Sequence, residues 1–284
     1  MMKKTKLFYP VLLLMLVFLI AGCESEKTID EEQVSSETIA SIEDADDIVD
    51  ELVSILEEVY ADEEFSTVAF KEEKREKFLP ECAVKTVERE AGIKNVTIDF
   101  GDGCTMKNDK VLKGKLLMSY ASDRSLKTRS VTHGYEGFYI NDKKISGESS
   151  SVKVYSNENG NRQTTFTEAI LITWDSGETA SREGTRITEL ISGGEQEGWA
   201  SKVYEISGSW TSTSKSGEVH SVEITEKLRK ELACRFIVSG VKEISKTNKS
   251  GTLDFGDGSC DSKATFTDLD GVIEEIELQK NKRK

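Results

Sequence analysis

Two textures divide the chain. Between Ser41 and Tyr60, apolar residues recur every three or four positions: Ile42, Ala45, Val49, Leu52, Leu56 and Val59. That spacing is one face of an α-helix, and Ile48 and Ile55 widen the stripe. Ser41 and Asp44 form a capping-box-like start, in which each side chain satisfies an N–H that the first turn leaves unpaired. Lys71 to Lys77 extends the helical reading, with Phe65, Phe70 and Phe78 as further apolar contacts. The helical segment is placed at 41–81. Its seam is too short for a coiled coil, so the helix is expected to pack on its own domain.

From Cys82 the period changes to two. Phe166, Ile170, Ile172 and Trp174 alternate with Thr165, Thr167 and Thr173. Tyr204, Ile206 and Trp210 repeat the pattern, as do Val272, Ile276 and Leu278. One apolar and one wet face mark antiparallel strands. Asn141-Asp142, Asn159-Gly160, Ser176-Gly177, Gly193-Gly194, Ser216-Gly217 and Asp270-Gly271 supply turns between them. The predicted class is mainly β: a long antiparallel meander, as a twisted sheet, partial barrel or sandwich, with an N-terminal amphipathic helix. Strands of roughly 10–14 residues exceed the usual mode. So much strand would also exceed the usual share, so some of these strands are expected to be shorter than the pattern suggests.

An internal repeat lies in the β region, 82–284. Asp99-Phe100-Gly101-Asp102-Gly103 is followed by Cys104, and Asp254-Phe255-Gly256-Asp257-Gly258 by Ser259 and Cys260. A cysteine precedes each copy, Cys82 by 22 positions from Cys104 and Cys234 by 26 from Cys260. The repeat, 82–120 and 234–268, is incomplete. Setting Cys23 aside leaves four cysteines, which allow three connectivities. The repeat favours Cys82–Cys104 and Cys234–Cys260, as an oxidising compartment permits. CxxC-like pairs for a zinc site are missing.

The charge is uneven. The net charge is −14, yet residues 24–81 hold 21 acidic and 5 basic residues, while 82–284 are nearly neutral. This asymmetry marks an organisational boundary near Pro80. The acidic balance argues against nucleic acid as a partner.

Lys3, Lys4 and Lys6 precede an uncharged run, Val11 to Gly22, that ends in Ile20-Ala21-Gly22-Cys23. The run is short for a membrane span and suits a signal peptide, 1–22. Its end resembles the lipobox of bacterial lipoproteins. The resemblance implies cleavage before Cys23 and acylation of that residue, with 23–40 as an acidic tether. Several acyl chains give a stable membrane attachment. With its paired cysteines, doubled DFGDG-Cys and Ser/Thr-rich middle, the body resembles a group of uncharacterised Bacteroidota lipoproteins. That implies an outer-membrane location, on the periplasmic face or the cell surface, and no known activity. The pentapeptide also resembles the PKD signature. Ile98 and Leu253 stand where that family usually carries Trp, and its downstream Gly-x-Tyr pattern is missing, so membership is rejected.

Catalytic motifs are sparse. GxSxG, P-loop, HExxH and GxGxxG patterns do not occur, and His133 and His220 are the only histidines. A Ser/His/Asp triad is a spatial arrangement, which sequence order does not test. Asp99, Asp102, Asp254 and Asp257 offer hard oxygen ligands, which makes calcium the one cofactor to consider. Their alternative role is to shape turns, together with the glycines. Trp174, Trp210 and Tyr204, with Trp199 and Tyr135, could line a cavity for a lipid or glycan. Glu168 shares the parity of Phe166 and Ile170 and would face it. The expected function is non-enzymatic: an envelope lipoprotein that binds a lipid, glycan or envelope-protein partner, or serves structurally. A surface glycan hydrolase, with Glu168 and Asp175 as candidate carboxylates, and a calcium-dependent adhesion module are the alternatives.

Overall fold

The computed structural model describes residues 36–65, 79–106, 109–123, 125–193, 199–246 and 249–278. The leader, Cys23 and most of the tether lie outside these residues, as do Phe70, Phe78, the 71–77 segment and the Trp199 side chain. Helix α1 (Ser36–Phe65) runs five residues beyond the predicted stripe at each end. Its start is therefore not capped at Ser41, whose Oγ is buried within the helix without a hydrogen-bond partner. The predicted tether loses its last residues to α1. Ile42, Ala45, Ile48, Val49, Leu52, Ile55, Leu56 and Val59 are all buried, so the apolar stripe was read correctly.

The remainder is one antiparallel meander: β1 (Val84–Glu90), β2 (Ile93–Asp99), β3 (Cys104–Thr105), β4 (Val111–Ala121), β5 (Thr128–Ile140), β6 (Lys143–Val154), β7 (Arg162–Thr173), β8 (Thr179–Ser192), β9 (Val203–Thr213), β10 (Val219–Glu231), β11 (Ile237–Lys246), β12 (Lys249–Asp257), β13 (Lys263–Asp268) and β14 (Ile273–Glu277). Each strand pairs with its chain neighbours, save that β2 pairs β4 and the short β3 attaches to β4 beside it. The ends, β1 and β14, do not pair with each other, so the sheet is open. β4 to β11 span 10 to 14 residues, and strand makes up 61% of the chain. The expectation that long strands would prove over-read is thus overturned. A rod enclosed by strands needs long strands to reach around it. Val272 is also corrected: it is exposed in the turn before β14, while Ile276 faces inward.

The sheet wraps α1. Partners of successive helix residues step across it: Glu43 meets Lys242 of β11, Asp46 meets Arg182 of β8, Glu57 meets Lys153 of β6, Glu64 meets Arg129 of β5, and Glu63 meets Lys94 of β2 and Lys85 of β1. The helix crosses the strands beneath it, and the inward faces of both halves of the sheet close on its apolar stripe. One cluster joins Ala45–Tyr60 positions to β2, β4–β8; another joins Ile39 and Ile42 to β9–β14. Residues 33–284 form one compact unit. The charge boundary near Pro80 is therefore not a structural boundary.

The two repeat copies share one design. Each is a cysteine, a hairpin (β1–β2 or β11–β12), the DFGDG turn, a second cysteine and a further strand. Cys82 pairs with Cys104 and Cys234 with Cys260, each at a Cα–Cα distance of 5.7 Å. Phe100 and Phe255 anchor the turns in the core. Asp99 Oδ1 accepts from Gly101 N–H at 2.9 Å, and Asp254 Oδ1 from Gly256 N–H at 2.8 Å. Gly101 and Gly256 have φ of 58° and 93°, which a side chain would strain. Loops of this size give roughly 3 kcal/mol per disulfide. Thiol counting by mass is expected to find none of these four cysteines free in the oxidised chain, and reduction to lower the melting temperature. Four titratable thiols in the folded, exported chain would contradict the pairing.

Candidate functional site

The sequence points to the inner face of the sheet, and the structure shows why that face is polar at its centre. In a strand, residues two apart share a face. A continuous cross-strand row on the inner face reads Val96, Met118, His133, Ser149, Glu168, Gly184, Trp210, Val222 and Ile244, from β2 to β11. Its middle is polar and its flanks apolar. Ser149 Oγ lies 2.6 Å from Tyr135 Oη and 3.3 Å from His133 Nδ1. Burial, reinforced by the charge of Lys153, holds the His133 imidazole down to about 3, so it is neutral. Burial also raises the Tyr135 hydroxyl above its ordinary range. The serine, histidine and carboxylate are brought onto one face, yet all three are buried beneath α1. His220 is buried as well, and burial lowers its pKa.

Beside this row lies a charge cluster. Arg182, 1% exposed, donates through Nη1 to Asp46 Oδ1 at 3.0 Å. Its Nε lies 2.6 Å from Glu168 Oε1, a charge contact rather than a hydrogen bond, and its guanidinium sits 3.9 Å over the Trp210 ring. Lys242 Nζ donates to Asp46 Oδ2 at 2.8 Å and to Glu43 Oε1 at 2.9 Å. Arg186 pairs with Asp50. Gly184 leaves room for Trp210, since a Cβ there would lie 2.4 Å from the Trp210 Cβ. The space left in the cluster is about 30 Å³, enough for one or two water molecules. Desolvation raises the Glu168 carboxyl despite Arg182 and Arg186. Burial alone would lower the pKa of Arg182, but the surrounding carboxylates, Asp46 first, raise it.

The C-terminal half of α1 repeats the arrangement. Arg129 donates to Glu64 Oε2 at 2.6 Å and to Tyr60 Oη at 2.8 Å, and Lys94 lies 2.7 Å from Glu63. Burial pushes the Glu63 and Glu64 carboxyls up, but their cationic partners, Lys85 and Lys94 for the first and Arg129 for the second, prevail and hold both below the ordinary range. Rim lysines grip the outer helix stripe: Lys215 with Asp44, Lys110 with Glu51 and Lys202 with Glu58.

The predicted cavity residues do not line one chamber. Trp210 lies in the charge cluster, whereas Trp174 packs with the other core cluster and carries Lys215 Nζ 4.0 Å above its ring. Tyr204 is half-buried at the start of β9. Helix α1 fills the space that an interior ligand would need. Glu168 is sealed against Arg182, and Asp175 is exposed in the β7–β8 turn, so the two do not oppose each other across a cleft. In the DFGDG turns, Asp99, Asp254 and Asp257 accept from backbone amides two residues on, and Asp102 is exposed. Among the described residues, no group of three or more His, Cys, Asp or Glu is placed to hold a metal ion.

The sequence reading passed over Arg182, Arg186, Lys242, Lys94 and Arg129. A signal existed: each shares strand parity with buried residues, as in Lys94-x-Val96-x-Ile98 and Arg129-x-Val131. A cation at an inward position requires a buried partner. A separate cluster was also missed. Asn157, Asn159 and Asn161, in the β6–β7 turn, all donate side-chain N–H to Glu189 Oε1, at 2.9, 3.1 and 2.9 Å. These amides hold the Glu189 carboxyl down to about 2. No protein family, curated protein or solved structure matches the chain.

Two tests follow from this geometry. Arg182→Leu leaves Glu168 buried without the cation it touches and takes from Asp46 one of its two cations, and it is expected to cost about 3–5 kcal/mol in chemical denaturation. Lys215→Ala, at the half-buried rim where water still reaches the pair with Asp44, should cost less, about 1 kcal/mol; equal costs would contradict the assignment. For Glu189 the folded pKa is depressed, so its contribution is present above about 4.5 and lost as pH falls toward about 2. Between those limits the wild type should lose more stability than Glu189→Gln, as followed by circular dichroism.

Proposed function

We propose that this chain is an envelope lipoprotein, acylated at Cys23, whose β body is a non-enzymatic module for a protein partner or for envelope structure. The observation that carries the choice is the filled interior. Lipid and glycan carriers enclose their ligands in roomy, largely apolar cavities; here α1 occupies the inner face, and the charge cluster leaves about 30 Å³. Recognition then belongs to the outer surface, where a shallow groove of about 380 Å³ opens among Glu183, Ser209, Thr211, Ser221, Glu223 and Glu243. The two paired disulfides support a location outside the reducing cytoplasm. The lipobox residues Ile20-Ala21-Gly22-Cys23 support anchoring.

The experiment is metabolic labelling with an alkyne fatty acid in a bacterial host that processes lipoproteins. Label on the wild type that is lost in Cys23→Ala is the expected result. An unlabelled chain, secreted free of the membrane, would overturn the anchoring. A small molecule retained in native mass spectrometry and released on denaturation would overturn the non-carrier role.

A further inference from the structure

Among the described residues, nine large apolar side chains are exposed. Six of them are spread singly over β1, β2, β6, β7, β10 and the β4–β5 loop, which is ordinary for a protein surface. The other three, Leu269, Val272 and Ile273, are 66%, 51% and 68% exposed and fall within five residues, at the tip of the β13–β14 hairpin. The turn that presents them is closed on itself. Asp268 Oδ1 accepts from the N–H groups of Asp270 and Val272, at 2.9 and 2.8 Å. Asp268 O accepts from Gly271 N–H at 3.1 Å, and Val272 O from Asp268 N–H at 3.0 Å. Gly271 takes the left-handed φ of 80° that the turn needs. The main-chain donors of residues 268, 270, 271 and 272 are therefore all used within the hairpin. An apolar tip with its donors satisfied offers little to a partner that binds by hydrogen bonds, and loses little on entering lipid.

We propose that the β13–β14 tip is a second membrane contact, in which Leu269, Val272 and Ile273 enter the lipid interface and turn the β14 edge of the anchored body toward the bilayer. The orientation rests on the anchoring at Cys23. The first turns of α1 lie beneath this edge of the sheet: Ile39 and Ile42 share a core cluster with Ala264 and Phe266 of β13 and Ile276 of β14. Ser36, which opens α1, follows Cys23 by 13 positions, so an acyl group on Cys23 is joined to the body at its β14 end. The β1 end, where Glu63 meets Lys85, lies at the other terminus of a 30-residue helix, about 45 Å long. Asp268, Asp270 and Glu274 flank the three apolar side chains, so entry stops at the headgroup boundary, about 5–10 Å deep. After β14 the sequence carries Lys280, Lys282, Arg283 and Lys284, cations that anionic headgroups attract.

The test uses the full chain, labelled with the alkyne fatty acid, in vesicles of phosphatidylethanolamine and phosphatidylglycerol with brominated acyl chains, which quench tryptophan that enters the bilayer. Val272→Trp places a reporter at the tip, and Ser176→Trp places one in the exposed β7–β8 turn. Bromine should remove about half of the added emission in Val272→Trp and none in Ser176→Trp. Adding Leu269→Ser and Ile273→Ser to Val272→Trp should abolish the quenching; quenching that survives both serines belongs to the new indole and overturns the proposal. An acylated Val272→Trp chain without quenching overturns the tip contact and leaves the anchor standing. A quenched chain without the fatty-acid label supports the tip contact and removes the anchor. A wild type that sediments as a dimer in detergent, made monomeric by the two serines, together with no quenching in vesicles, assigns the patch to a second copy of the chain and overturns the membrane contact.

Discussion

A helix with twelve carboxylates and no cation cannot be enclosed by a sheet unless the sheet supplies the countercharge. Moving even one unpaired carboxylate out of water costs several kcal/mol. The β strands answer with inward lysines and arginines at the height of each helical turn: Lys242 and Arg182 first, then Lys153, then Arg129 and Lys94. Apolar burial draws the helix in, and the ion pairs fix its rotation and its register across the strands. The role of the pairs is specificity more than net stability, because such pairs roughly balance their own desolvation.

Other features follow from that enclosure. The strands are long because they must reach around a rod. The sheet stays open because its two edges, β1 and β14, need not meet once the helix has filled the interior. The disulfides secure the two repeated hairpins, β1–β2 at one edge of the sheet and β11–β12 two strands in from the other. Charged residues along β1 and β14, such as Lys85, Arg89, Glu274 and Glu275, protect free edges from pairing with other chains.

Much of this was legible. The helical stripe, the antiparallel alternation, the turn dipeptides and the cysteine pairing each arise from local geometry, which sequence records directly. The relation between helix and sheet was not legible in the same way. The acidity of residues 24–81 reads as an organisational boundary near Pro80, and the compensating cations are scattered singly over strands far away in sequence. Glu168 was found because its parity contradicted its polarity; Arg182, Lys242 and Lys94 carry the same contradiction. The aromatic residues were legible as inward-facing, but not that Trp210 lies beneath a guanidinium and Trp174 beneath a lysine.

The central claim is that α1 is part of the core of the β body. Native-state hydrogen exchange under increasing denaturant tests it most directly, because it ranks each segment by its free energy of opening. The account requires the amides of 52–60 in α1 to open only with the central strands β4 to β8, at the global stability of the domain. If the whole of α1 exchanges well before those strands, at a markedly lower free energy, the helix is a dispensable appendage and the account is wrong.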